Sequence, residues 1–219
     1  MFCMAVDKQA PCKVFAVTSA KPSEGKSLTA ANIAISYAML EKRTLLIDAD
    51  MRKPSQGRLW RINAPNGFCD FLANIAPLEL AHVEGLPLDI APTGTIPPNP
   101  SELLASDRMT QFIAACARNY DYVIIDTPPI NTVADAQIIS AFVDGMLLVA
   151  KSGYTTADEL QAAIDAVHRA EGNLCGVVLN GLDMKSVKYS YKYKYGRYGE
   201  KYGYYQYSQY GYSDAHKKK

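Results

Sequence analysis

The sequence predicts an α/β fold in which helices cover both faces of a mostly parallel central sheet. Short runs of β-branched and other apolar residues recur along the chain and are typical of strands buried on both faces. Longer helix-compatible stretches separate these runs, and parallel strands require crossovers of that kind. With 219 residues, 48% hydrophobic and 21% charged, the chain is long enough for one such domain and a tail.

The predicted elements alternate along most of the chain. Strands are expected at residues 13–19, 44–48, 88–91, 122–126, 146–150 and 174–179. Helices are expected at residues 26–41, 107–119, 135–142 and 156–171. In the last of these helices, Leu160, Ile164 and Val167 recur at helical spacing and predict a buried face.

The predicted domain covers residues 1–184, and a tail of different composition follows at 185–219. The domain carries 14 Lys and Arg against 20 Asp and Glu, a balance of −6, whereas the tail carries 9 against 2, a balance of +7. Eleven of the 15 tyrosines lie in the tail, where Val187 is the only Val, Ile, Leu, Met or Phe. Such a segment buries too little apolar surface to offset its backbone entropy, so we expect it to be flexible when alone. The alternation YSYKYKY leaves a strand open as an alternative.

Two further features bear on the cellular compartment. The five cysteines are scattered without a C-x-x-C pair, which favours small buried hydrophobic residues in a reducing cytosol over metal ligands or disulfides (Cys3, Cys12, Cys69, Cys116, Cys175). No apolar run approaches the roughly 20 residues that cross a bilayer, and the N-terminus does not resemble a signal peptide. We therefore expect a cytoplasmic protein that reaches the membrane through a partner or its basic tail.

A phosphate-binding loop is predicted between the first strand and the first helix. The segment Ala20-Lys-Pro-Ser-Glu-Gly25-Lys26-Ser27 matches the P-loop pattern, with Ala20 in the place of the first glycine. Loop and helix N–H groups would bind phosphate, Lys26 would reach the β- and γ-phosphates, and the Ser27 hydroxyl would bind Mg²⁺. Alanine is tolerated at position 20 if φ there is negative. The predicted cofactors are ATP and Mg²⁺, and the nucleotide contacts are Ala20, Lys21, Pro22, Ser23, Glu24, Gly25, Lys26, Ser27 and Leu28.

Three aspartates are expected at the same sheet edge. Asp48 and Asp50 end one apolar strand, and Asp126 ends another, in the segment VIIDTPP. Clustered carboxylates repel each other unless a cation lies beside them, and nucleotide-bound Mg²⁺ would supply it. Each aspartate alone could equally cap a helix or stabilise a turn. Together with a P-loop, they indicate a P-loop NTPase, and this combination resembles the partition ATPases with a deviant Walker A motif.

These segments in this order resemble the bacterial tyrosine kinases of capsule and exopolysaccharide synthesis, of the CpsD/CapB type. The P-loop, the D-x-D-x-R segment ending at Arg52 and DTPP carry the resemblance. Further similar segments are Gly94-Thr-Ile-Pro-Pro-Asn-Pro-Ser-Glu-Leu-Leu104, Ala134-Asp-Ala136, Val143-Asp-Gly145 and Gly176-Val-Val-Leu-Asn180. The resemblance runs from about residue 13 to residue 180, and the tyrosine-rich tail follows it.

The resemblance implies an ATP-dependent tyrosine autokinase and a role for each site residue. Lys26 and Asp48 would be catalytic, with Asp48 accepting the proton of the substrate phenol. Ser27, Asp50 and, through water, Asp126 would hold the metal, and Asn180 would contact adenine. The acceptors would be the tail tyrosines, namely Tyr189, Tyr191, Tyr193, Tyr195, Tyr198, Tyr202, Tyr204, Tyr205, Tyr207, Tyr210 and Tyr212.

The resemblance also implies partners. These are a transmembrane polysaccharide co-polymerase-type activator, a cognate protein-tyrosine phosphatase, and further copies of the chain in a ring held by tail-in-site contacts. The sequence lacks the Glu-x-x-Arg-x-x-Arg helix that assists ring assembly in the family, which leaves the oligomeric state open. Lys21 stands where related partition ATPases keep a lysine that reaches across a dimer, and we expect it to be solvated here.

Two other functions compete with the kinase. A partition- or division-type ATPase would share the fold, but the chain has Pro22-Ser23 where such ATPases have two glycines, and it carries a tyrosine tail. A binding module could engage nucleic acid or anionic membrane through its tyrosines and lysines. Because the body is acidic, we expect no nucleic-acid partner.

Overall fold

The computed structural model describes residues 13–62 and 65–182. The chain divides into two units, residues 1–182 and 183–219, and every described residue belongs to the first. The described strands are β1 Lys13–Ser19, β2 Thr44–Asp48, β3 Ala81–His82, β4 Leu88–Ala91, β5 Tyr122–Asp126, β6 Gly145–Lys151 and β7 Leu174–Asn180. The described helices are α1 Lys26–Ala38, α2 Gln56–Trp60, α3 Phe68–Leu72, α4 Pro100–Leu104, α5 Asp107–Asn119, α6 Asp135–Ser140 and α7 Ala157–Arg169.

One sheet with the order β3-β4-β2-β5-β1-β6-β7 organises the described residues. Every neighbouring pair is parallel except β3 with β4. The predicted α/β fold with a mostly parallel sheet is therefore confirmed. Because parallel strands end at the same edge, the ends of β1, β2 and β5 meet, and Asp48 is paired directly with Asp126 across β2 and β5.

The core forms two apolar layers, one on each face of the sheet. On one face, small alanines of α1 pack closely against β1, β2 and β5, including Val17, Leu46 and Ile124. On the other face, Met109 and Phe112 of α5, Ile139 of α6 and Val167 of α7 cover the sheet. All six predicted strands are present, and the central strands are apolar because helices cover both of their faces. The edge strand β7 differs, because one of its faces is exposed at Val177 and Leu179.

Several predicted boundaries were wrong. Helix α1 ends at Ala38 rather than at residue 41, because Glu41 takes a left-handed φ of 59° and turns the chain toward β2. Helices α6 and α7 are also shorter than predicted, and Thr156 caps α7 instead of belonging to it. Helices α2, α3 and α4 and strand β3 were missed. They have five residues or fewer, too few for a hydrophobic period.

Two further observations concern the compartment. Cys69 and Cys116 are buried, as expected, but Cys175 is exposed on the edge strand β7. The expectation of a buried thiol was therefore wrong for Cys175, while Cys3 and Cys12 lie outside the described residues. Among the described helices, none combines the length and the apolar character needed to span a membrane.

Candidate active site

The loop between β1 and α1 adopts a tight phosphate-loop geometry. Ser23 and Gly25 have positive φ values of 68° and 95°, whereas Ala20 is not among the residues with positive φ. Ala20 therefore fits the first-glycine position without strain, as expected for an alanine whose φ is negative. Its methyl group is buried, with 1% of its surface exposed. Ser23, by contrast, holds a conformation that costs an L-residue about 1 kcal/mol or more.

Gly25 is required for two independent reasons. Besides its positive φ, a Cβ atom at this position would lie 2.1 Å from Asn180 Nδ2. Asn180 ends β7 and donates from that nitrogen to the Glu24 carbonyl at 2.9 Å. The structure thus places Asn180 against the backbone of the P-loop, and its contact with adenine stays a prediction.

Lys21 is partly exposed and forms an ion pair that the sequence analysis did not predict. Its ammonium donates to both carboxylate oxygens of Glu159 at 2.8 and 2.9 Å and lies 4.1 Å from the centre of the Tyr154 ring. Glu159 is held there because it forms a capping box with Thr156 at the start of α7. The hydrogen bond from Lys21 lowers the pKa of Glu159 to about 2. The loop backbone is fixed as well, because the Lys21 N–H donates to the buried Glu24 carboxylate at 2.9 Å.

The P-loop lysine lies between two of the predicted carboxylates. Lys26 Nζ is 2.8 Å from Asp50 Oδ2, 3.3 Å from Asp126 Oδ1 and 3.2 Å from Ser27 Oγ. Burial lowers the pKa of Lys26, but the charges of Asp126 and Asp50 outweigh this effect and raise it overall. Burial raises the pKa of Asp126, against the opposing charge of Lys26. A buried cation therefore balances the carboxylates at the edge of the sheet.

The donor set around Lys26 suits a hard divalent cation. Asp50, Asp126 and Ser27 direct carboxylate and hydroxyl oxygens toward one point, which the Lys26 ammonium touches. Mg²⁺ prefers such oxygens and keeps several waters, so it needs few protein ligands. Among the described residues, no group of three or more His, Cys, Asp or Glu side chains lies in a metal-holding arrangement.

Asp48 is fully buried and forms the hydrogen bonds of a turn. Its Oδ2 accepts from the N–H groups of Ser55 and Gln56, both at 2.8 Å, and its Oδ1 accepts from the Asp50 N–H at 3.3 Å. Burial, reinforced by the charge of Asp126, raises the pKa of Asp48 to about 7. The sequence left turn chemistry open for this residue, and the structure shows that Asp48 performs it. Whether Asp48 also acts as a base is a separate prediction.

Gln56 is a site residue that the sequence analysis missed. It is fully buried at the start of α2 and donates from Nε2 to Asp126 Oδ2 at 2.8 Å and to the Ser27 carbonyl at 3.0 Å. Its position in the sequence, six residues after Asp50, carries no motif that we recognise.

Arg52 explains why three segments of the family resemblance occur together. Its guanidinium makes a two-pronged ion pair with Asp135 at 2.8 and 3.1 Å and donates to Ser101 Oγ at 3.2 Å. Ser101 in turn donates to Asp135 Oδ1 at 2.6 Å. The D-x-D-x-R loop is thereby joined to the N-terminal ends of α4 and α6.

The predicted tyrosine acceptors, from Tyr189 to Tyr212, lie outside the described residues.

Comparison with known proteins agrees with this geometry. The ParA family profile, described as the NUBPL iron-transfer P-loop NTPase, matches residues 11–207. The tyrosine-protein kinase YwqD of Bacillus subtilis is 41% identical over 199 residues, which are 90% of this chain and 81% of that protein. The putative tyrosine-protein kinase EpsB of Ralstonia solanacearum is 39% identical over 92% of this chain, but the match spans 26% of that longer protein.

Solved structures of a kinase domain and of a cell-division protein both share this fold. The kinase domain of the Escherichia coli tyrosine kinase ETK superposes with a TM-score of 0.76 at 34% identity, covering 84% of this chain and 72% of that one. The cell-division protein MinD of Aquifex aeolicus, in complex with MinC, has a TM-score of 0.68 at 24% identity, covering 81% of this chain and 72% of that one, which shows a shared fold alone. The chain belongs to the family of bacterial tyrosine-protein kinases, built on the ParA-type P-loop NTPase fold.

Proposed function

We propose that this protein transfers the γ-phosphoryl group of ATP to tyrosines in its own C-terminal segment, in the same copy or in a neighbouring one. The observation that carries the proposal is the convergence of Lys26, Asp50 and Asp126 beside a P-loop at one sheet edge. This arrangement supplies the two requirements of phosphoryl transfer, a fixed cation and carboxylates for a metal. Eleven tyrosines in the positively charged segment 185–219 supply the acceptors.

Each site residue has a defined role in this proposal. The loop N–H groups and Lys26 hold the phosphates, and Ser27, Asp50 and Asp126 are the residues that would hold Mg²⁺. Bound Mg²⁺ supplies charge that stabilises the phosphates during transfer. The phenol oxygen forms a bond to the γ-phosphorus while the bond to the bridging oxygen of ADP breaks.

Asp48 takes the phenol proton in this scheme. A tyrosine phenol has a pKa near ~10 and is a poor nucleophile at neutral pH unless a base accepts its proton. Burial raises the pKa of Asp48 above its ordinary value, which makes this carboxylate a better proton acceptor than an exposed aspartate. Its Oδ1 is the oxygen best placed to take the proton, because its bond to the Asp50 N–H, at 3.3 Å, is longer than the two bonds to Oδ2.

The wider role follows from the family. We propose that phosphorylation of the tail regulates the synthesis and export of capsular or extracellular polysaccharide. A transmembrane co-polymerase-type activator would bring the protein to the inner face of the membrane, and a protein-tyrosine phosphatase would reverse the reaction. Tail-in-site contacts between copies would build a ring.

Incubation with γ-labelled ATP and Mg²⁺ tests the proposed function. The label should appear on tyrosine in the wild type and should be absent from Lys26→Met. A variant with all eleven tail tyrosines replaced by phenylalanine should bind nucleotide and take up no label. Release of inorganic phosphate without labelled tyrosine would instead identify an ATPase.

A further inference from the structure

We propose that Gln56 is a positioning residue for the phosphoryl-transfer site, where it fixes the orientation of the Asp126 carboxylate relative to Ser27. This inference rests on the proposed function, since it concerns the same site. Gln56 has no exposed surface, and its side chain crosses from α2 to β5 and to the first turn of α1. Its backbone N–H also donates to Asp48 Oδ2 at 2.8 Å. One residue therefore contacts Ser27, Asp48 and Asp126.

The orientation of the Gln56 amide follows from its partners. Trp60 Nε1 can only donate, and it lies 3.2 Å from Gln56 Oε1, so this atom is the amide oxygen. The Nε2 group then presents both of its hydrogens to acceptors, the Ser27 carbonyl at 3.0 Å and Asp126 Oδ2 at 2.8 Å. Every polar atom of the buried amide is thus satisfied in a single orientation.

This orientation determines which oxygen of Asp126 faces the cation. Oδ2 is bound to Gln56, so Oδ1 is the oxygen that approaches Lys26 Nζ, at 3.3 Å. The same amide fixes the backbone of Ser27, the residue whose hydroxyl is proposed to hold Mg²⁺. Gln56 therefore sets the spacing between two proposed metal-holding residues from separate parts of the chain, without touching substrate itself.

Two variants separate positioning from bulk packing. Gln56→Met keeps the length of the side chain and removes both donors. Gln56→Glu keeps the shape but places a carboxylate against Asp126 Oδ2 and the Ser27 carbonyl. The matched control is Gln161→Met, because Gln161 Nε2 donates to Asp165 Oδ1 at 2.9 Å in an exposed pair on α7.

The experiment follows the thermal unfolding of each full-length protein with ADP over a series of Mg²⁺ concentrations. Mutation of a residue that hydrogen-bonds a metal ligand typically weakens metal affinity about 10- to 100-fold. Both Gln56 variants should therefore need about tenfold more Mg²⁺ to reach half of the metal-dependent stabilisation. Stabilisation by ADP without Mg²⁺ should match the wild type, and Gln161→Met should keep the wild-type Mg²⁺ midpoint.

An unchanged Mg²⁺ midpoint in Gln56→Glu would overturn the inference, whether or not Gln56→Met folds. Equal loss of stabilisation with and without Mg²⁺ would also overturn it, since that result indicates general damage to the nucleotide site. A wild type that binds Mg²⁺ and ADP but never labels tyrosine would contradict the proposed function alone, because the Mg²⁺ midpoints do not depend on turnover.

Discussion

Lys26 Nζ lies 2.8 Å from Asp50 Oδ2, in a buried ion pair between the P-loop and the end of β2. The same ammonium lies 3.3 Å from the fully buried Asp126. The protein thus supplies its own cation to carboxylates that would otherwise repel each other. Binding of phosphates to Lys26 must compete with this ion pair, so the lysine and a metal ion are alternative partners for the same oxygens.

The first prediction concerns Lys26→Met. Tail phosphorylation should fall by ~10²-fold or more, because a cation beside the transferred group is lost. The variant should also be less stable than the wild type by about 3 kcal/mol, since breaking a buried ion pair leaves uncompensated charge. Phosphotyrosine blots and denaturant unfolding measure the two effects. Wild-type phosphotyrosine in this variant would refute the assignment of the P-loop lysine.

The second prediction separates Asp48 from Asp50. Asp50→Asn should weaken the dependence of nucleotide binding on Mg²⁺, because Asp50 contacts the cation that Mg²⁺ would replace. Asp48→Asn should slow phosphoryl transfer while Mg²⁺ and ATP still bind. Calorimetric titration with ATP at several Mg²⁺ concentrations distinguishes the two variants. If both lose nucleotide binding equally, the two roles are shared or wrongly assigned.

The third prediction concerns pH. The pKa of Asp48 is raised to about 7 in the folded protein, above the unfolded value of about 3.9, so the folded state binds this proton more tightly. The resulting stabilisation is fully present below pH ~4 and is lost as the pH rises through ~7. Without nucleotide, the free energy of unfolding of Asp48→Asn should therefore fall less than that of the wild type as the pH rises from ~4 to ~7.

Asp121 provides a control of opposite sign for the pH experiment. The hydrogen bond from Arg43 lowers the pKa of Asp121, so its stabilising contribution is present above the unfolded pKa and is lost as the pH falls. Denaturant unfolding from acid to neutral pH should show deviations from the wild type in opposite directions, between pH ~4 and ~7 for Asp48→Asn and below pH ~4 for Asp121→Asn. Parallel curves for the wild type and Asp48→Asn would contradict the raised pKa.

The fourth prediction compares two glycines with similar positive φ values, 78° at Gly94 and 76° at Gly85. A Cβ atom at Gly94 would lie 2.1 Å from Asp70 Oδ2 and 2.4 Å from the Gly67 nitrogen, whereas Gly85 has nothing within 4 Å. Gly85→Ala should cost only the conformational penalty of about 1–2 kcal/mol. Gly94→Ala should cost clearly more, as measured by denaturant unfolding. Equal losses of unfolding free energy in the two variants would show that the loop before α4 moves to accommodate the added methyl group.

Much of the site could be predicted because it depends on neighbours in sequence. The apolar runs can be recognised as strands in the sequence, and parallel pairing of these strands then brings Asp48 and Asp126 to the same edge of the sheet. Gln56 and the contact of Arg52 with Asp135 could not be found this way. They lie on or next to short helices without a hydrophobic period, and each contact spans at least 70 residues.

Lys21 shows the same limit. Its sequence context favours a solvated side chain, and the side chain is partly exposed, but the sequence does not show that the ammonium pairs with Glu159, 138 residues further along the chain. That contact depends on how α7 packs beside the P-loop, which no local pattern reports. The role of Asp48 was ambiguous for a related reason, since an aspartate that stabilises a turn and an aspartate that acts as a base can follow a strand in the same local sequence pattern.

The most direct test of the central claim is a map of phosphotyrosines after incubation of the full-length protein with ATP and Mg²⁺. The proposed function predicts phosphate on several of the eleven tyrosines between Tyr189 and Tyr212, and none on the same peptides from Lys26→Met. Mass spectrometry of the protein, first treated with a phosphatase and then incubated, gives the answer for each residue. Unmodified tail tyrosines in a preparation that binds and hydrolyses ATP would contradict the account.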